Sequence, residues 1–149
     1  MTRPFKLEAV LNHRRHREEA ARKRYADAVR QLRQQQEQLT AIQMTRQKCL
    51  QDLRSQQRSG AAAAQMLMYT HYLTRLDTEI QAQDKVVQAH RQKKEKQRQA
   101  LMAALKDRKV IEKLKERHLR QLEVEERGRE QKLLNDVAIT RYQRSAREL

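Results

Sequence analysis

From Leu7 onward a candidate seam residue recurs alternately four and three positions further along. The stripe runs Leu7, Leu11, Arg14, Glu18, Ala21, Tyr25, Ala28, Leu32, Gln35, Leu39, Ile42, Arg46, Cys49 and Leu53. This alternation keeps one line of side chains facing a partner while two slightly under-wound helices wrap around each other. A second stripe, Met66, Tyr69, Leu73, Leu76, Ile80, Gln83, Val87 and His90, follows a short break at Arg58-Ser59-Gly60. Two stripes joined by one breaker predict an all-α fold, a two-helix antiparallel coiled-coil hairpin. Such a fold encloses no catalytic cleft, so function is expected on surfaces and at ends.

The arms are expected to be unequal within a single domain spanning 1–149. The first helix is read as 5–55, the turn as 56–62 and the second helix as 63–145. Thr2 is placed to cap the first helix, with Pro4 in the first turn where its missing amide hydrogen is not needed. Gly60 tolerates the positive φ that commonly ends a helix, and the alanines at 61–64 restart one readily. Folding back at Gly60 sets residue 7 near residue 115, so the second helix overhangs from about residue 119. Its stripe thins between Gln88 and Ala100. Beyond that it is expected to lose register, because Leu105, Leu114 and Leu119 lie one position off the frame of Leu101, Ala104, Ile111 and Leu122. Gly128 is expected to mark a bend or a fray point.

Composition supports long solvent-bathed helices over a compact core. Mean hydropathy is −1.09, and aromatics make up 3% of the 149 residues, with two Gly and one Pro. Near absence of Gly and Pro together with the periodicity argues against disorder. The net charge of +15 would attract an acidic protein, nucleic acid or an anionic membrane, or in part merely solvate helix flanks.

Cys49 is the only cysteine, which excludes an intrachain disulfide and gives no sign of an oxidising compartment. It reads as a seam residue. No apolar run follows the basic residues at the start, and nowhere do eighteen consecutive apolar residues occur, so neither a signal peptide nor a membrane span is expected. A cytoplasmic location follows as the expectation.

The residues carry little chemistry. His13 and His16 share the spacing of a metal pair, but the arginines around them repel a cation and no carboxylate completes the set. There is no Gly-rich phosphate loop and no nucleophile beside a base. The basic cluster Arg14, Arg15, Arg17, Arg22, Lys23, Arg24 lacks the clean zipper that follows a DNA-reading basic arm. Nucleic-acid binding without sequence preference is the reading it leaves. No cofactor, no metal and no enzymatic activity are expected.

The opening Phe5-Lys6-Leu7-x-x-Val10-Leu11-x-x-Arg14-x-x-x-Glu18-x-x-Ala21 resembles the N-terminal signature of the flagellar export protein J family, stalk proteins of type III secretion ATPases. Glu130-Gln131-Lys132-Leu133-Leu134-Asn135-Asp136-Val137-Ala138 is similar to that family's C-terminal segment, with Asn135 in place of the first acid of its acidic pair. The resemblance implies a form like the coiled-coil part of the rotary ATPase γ subunit. It also implies a noncatalytic central stalk of a bacterial flagellar export apparatus, peripheral at the cytoplasmic face of the inner membrane. Its partners would be the hexameric export ATPase, whose assembly and activity it promotes, the nonameric membrane export gate, and export chaperones. A generic basic coiled-coil scaffold and a nonspecific nucleic-acid-binding helical protein are the alternatives.

Positions matching the family's gate-binding face are Gln38, Ile42, Tyr72, Leu76, Glu79 and Gln83. Thr45 and Cys49 stand where aromatics are common in the family, and Glu79 where a small residue is. Tyr72 and Leu76, four apart, are expected to form an anchor on one helix face. For the ATPase, basic residues Arg14, Arg15, Arg17, Lys113, Lys115 and Arg117 are expected to meet acidic groups at the pore. The apolar stripe Leu133, Leu134, Val137, Ala138 and Tyr142 of the overhang is expected to be covered there.

Overall fold

The computed structural model describes residues 3–149 and consists of two helices, α1 (Glu8–Arg58) and α2 (Ala63–Arg147), with no strand among the described residues. The chain is an all-α helical hairpin. Thr2 lies outside the described residues. Pro4 precedes the helix instead of sitting in its first turn: the backbone turns first at Lys6 and Leu7, where the Glu8 amide donates to the Phe5 carbonyl at 3.2 Å. α1 runs to Arg58, past the expected end at 55, because no residue before Gly60 opposes helix.

The reversal is built on one residue. Gly60 has φ +76°, the left-handed conformation that closes helices at the position after the cap. Around it the Ala61 amide donates to Gln56 O at 3.0 Å and the Ser59 hydroxyl reaches the carbonyls of Ser55 and Gln56, both at 3.2 Å. Carbonyls that a helix end would leave without partners are thereby satisfied. α2 restarts with Gln65 and Met66 donating to Ala62 O.

The chain divides into two compact units: Glu19–Ala103, and Ala104–Leu149 together with the residues up to Glu18. In the unit containing the turn, the core comprises Ala21, Ala28, Leu32, Cys49, Leu76 and Val87. Two contacts fix the register. The Gln83 side-chain amide donates to Gln35 Oε1 at 2.8 Å and Gln35 O at 3.0 Å, and Arg46 pairs with Asp77. That register sets Ala21 and Ala28 against the polar stretch before Leu101, where half-buried Lys94 and Gln97 occupy the seam. Small residues on one helix leave room for long stems on the other, whose methylenes can cover apolar surface while their heads remain in water.

In the other unit the core is narrower: Leu11, wholly buried, Ile111, and the buried carboxylate Glu18. Arg108 pairs with Glu18 and also with Glu112 at 2.7 Å. Lys115 meets Glu8 at 2.9 Å, Arg15 approaches Glu112 at 3.8 Å, and an Arg14 NH group donates to Asp107 O at 2.7 Å. The His118 ring lies 5.6 Å from that of Phe5, and its Nε2 is 3.2 Å from Arg3 O.

The second stripe does not lose register. Positions screened from solvent on α2 continue as Lys94, Gln97, Leu101, Ala104, Arg108, Ile111, Lys115, His118, Leu122 and Glu125, three and four apart, with Leu105 and Glu112 half-buried one step beside that frame. Charged residues with long apolar stems hold several positions of the frame, and Leu114 and Leu119 face water. From Glu126 to Leu149 every residue is exposed, and the helix passes Gly128 without interruption.

Candidate functional site

The residues matched to gate binding lie within the turn-containing unit and separate by burial. Leu76, only 4% exposed, is a core residue, so it cannot serve with Tyr72 as an exposed anchor. Seam position decides this: Leu76 falls on the three-four frame, and Tyr72 falls one step outside it. Gln83 is committed to Gln35, and Ile42 is half-buried. Gln38, Glu79 and Tyr72 remain at the surface, Glu79 within 3.4 Å of Arg75.

Beside Tyr72 the structure adds residues that periodicity passed over. A cleft is lined by Gln56, Gln65, Met68, Tyr69 and Tyr72, and Met68, at 72% exposure, stands four residues before Tyr72 on the same helix face. Met68 and Tyr72 therefore form the exposed i,i+4 pair that Tyr72 and Leu76 do not. The signal was present in the sequence as large apolar residues standing off the seam, at Leu67, Met68 and Tyr72. Met44 likewise faces water from α1.

Cys49 is buried in this unit. Burial, and then the neighbouring Asp52 carboxylate, push its thiol above the ordinary value.

In the other unit the six basic residues also divide. Arg14, Arg15 and Lys115 are spent on contacts between the helices. Arg17, Lys113 and Arg117 are exposed and make no ion pair among the described residues. Arg108, absent from the expected set, is the cation most tightly engaged: hydrogen bonds to Glu112 and then Glu18 push its guanidinium above its ordinary value. His13 and His16 are exposed, and no group of three metal-ligating side chains occurs among the described residues.

The remaining surface is the bare end of α2. Leu133 and Val137 form one apolar row, and Leu134, Ala138 and Tyr142 a second beside it, all exposed. Ile139, 54% exposed and three residues before Tyr142, widens the surface beyond the expected stripe. Monomeric proteins rarely leave such contiguous apolar surface in water unless it binds something. No described helix is long and apolar enough to cross a membrane.

A two-helix hairpin with a seam held partly by ions, and with apolar and basic groups gathered on outer faces, belongs to the class of coiled-coil interaction proteins. Residues 3–147 match the family model described as Flagellar FliJ protein. The chain belongs to that family, and its role is related to flagellar export. No curated protein and no solved structure matches it.

Proposed function

We propose that the chain is the noncatalytic central stalk of a flagellar type III export apparatus, working without a cofactor at the cytoplasmic face of the inner membrane. The end of α2 enters the hexameric export ATPase and promotes its assembly and activity. The surface around Met68 and Tyr72 contacts the nonameric export gate, and export chaperones use the same protein as an escort. The observation that carries this reading is the bare helix Glu126–Leu149 with its apolar rows, in a chain that matches its family along almost its whole length.

Charge supports the docking step. Arg17, Lys113 and Arg117 project into solvent and are the cations able to meet acidic groups at the pore, where charge chiefly speeds and orients association. Arg14, Arg15 and Lys115 assist by fixing the helices that present them.

Deleting Glu130–Leu149 tests the reading. The truncated protein should retain its helical melting transition and its capture of the gate while losing stimulation of the ATPase. Full stimulation by the truncated protein would show that the chain does not engage the hexamer through this end.

A further inference from the structure

Lys106, Lys109, Lys113, Arg117 and Arg120 are separated by three, four, four and three residues, which places them in one line along α2. The seam of this unit passes through Ala104, Arg108, Ile111, Lys115 and His118. At the helical rotation the five cations therefore stand on the side of α2 turned away from α1. All five are exposed, and none makes an ion pair among the described residues. Asp107 lies to one side of the line, and Glu112 is already held by Arg108 and Arg15. Glu116 stands on the face itself between Lys113 and Arg120, so that along 106–120 the ridge carries five cations against one acid. At about 1.5 Å per residue, the five charges occupy a ridge roughly 21 Å long.

We propose that this ridge docks the protein on an anionic lipid bilayer. Four to eight clustered Lys and Arg residues on one helix face suffice to recognise acidic headgroups. Two aliphatic residues share the face: Val110, 55% exposed, and Val124, 68% exposed. A helix lying in the plane of a bilayer places such side chains at the headgroup boundary while lysine and arginine stems reach up to the phosphates. Nucleic acid would leave the valines idle, and no aromatic side chain stands on this face to stack on a base. The full row of five cations crowns the convex side of a helix, which suits a flat polyanionic surface. Lys113 and Arg117 are shared with the ATPase contact proposed above, so the bilayer and the pore are alternative occupants of this face. Lys106, Lys109 and Arg120 have no part in the stalk reading and serve the bilayer alone.

Co-sedimentation of the full chain with phosphatidylcholine vesicles, with and without phosphatidylglycerol, tests it. Binding should require the anionic lipid. K106E/K109E/R120E should weaken it by at least about tenfold, and K106Q/K109Q/R120Q by less. A control of equal charge, K48E/R54E/R58E, should change it less than about twofold, since those residues lie off the ridge. The chain has no Trp, so V110W provides a sole reporter whose emission should shift to the blue on anionic vesicles, whereas Q47W on α1 should not shift. Equal losses in the ridge and control variants would reduce the effect to net charge and overturn the proposal. Binding without a V110W shift would also overturn it. So would a ridge variant that loses affinity for a duplex oligonucleotide or for the ATPase while keeping its affinity for vesicles.

Discussion

Arg108 of α2 closes onto Glu18 of α1 at a point where the Glu18 side chain is 7% exposed, making an ion pair part of the core. Removing one member of such a pair leaves the other charged and desolvated, whereas replacing both with apolar residues can be neutral or better. R108M should lower the urea midpoint clearly, and E18L/R108L should recover most or all of the loss. A double variant as unstable as R108M would show that the arginine contributes through packing alone.

The two glycines should respond in opposite directions. Gly60 holds φ +76°, and an added Cβ meets nothing within 4 Å at either glycine. G60A should therefore lose about 1 kcal/mol from backbone conformation alone, with G60N losing less. G128A should gain about 1 kcal/mol, as expected of alanine replacing glycine inside an exposed helix. Thermal melts followed by circular dichroism read the first, and amide exchange around residue 128 reads the second, since the bare segment opens from its end and not with the packed hairpin.

Cys49 should resist modification while the protein is folded. Its thiol is displaced upward from 9.0, so the fold favours the neutral form. That contribution to stability is complete below the ordinary value and is lost as pH rises from there through the displaced one. Reaction with a disulfide reagent at mildly alkaline pH should be at least about tenfold slower in native buffer than in urea, because only the thiolate reacts and burial limits access. Equal rates would mean that this part of the seam opens freely.

At the turn-containing unit, M68A/Y72A should weaken gate binding while leaving helicity unchanged. L76A should cost about 2–4 kcal/mol, because it empties a core position. A gate defect in L76A without loss of stability would return Leu76 to the binding surface.

The first helix was legible because its core residues obey the four-three count and are mostly apolar or small: Leu11, Ala21, Ala28, Leu32 and Cys49 are all buried. The far half of α2 was harder to read because its seam is carried by Lys94, Gln97, Arg108, Lys115 and His118, whose polar ends disguise their apolar stems. Counting strictly onward from His90, regardless of polarity, would have reached every one of them. Glu18 gave the complementary signal, an acid in the first stripe requiring a cation opposite. Among the proposed contact residues, the periodicity that identified Leu76 as seam also marked Tyr72 as outside it. The exposed neighbour Met68 needed the structure, since a methionine beside a seam serves as filler or as contact with equal ease.

Every residue of Glu126–Leu149 is exposed, yet this segment continues a helix already formed and supported upstream. An isolated peptide of that length must first close a turn for one hydrogen bond, an unfavourable step with a statistical weight of about 10⁻³. Here the packed turns around Ile111 and Leu122 act as a permanent nucleus, so helix can zip outward one residue at a time from a template that never melts first. Capture by a partner then requires no nucleation, and fraying should proceed from Leu149 inward. Amide exchange along these residues should form a gradient, fastest at the terminus, in place of a single cooperative opening.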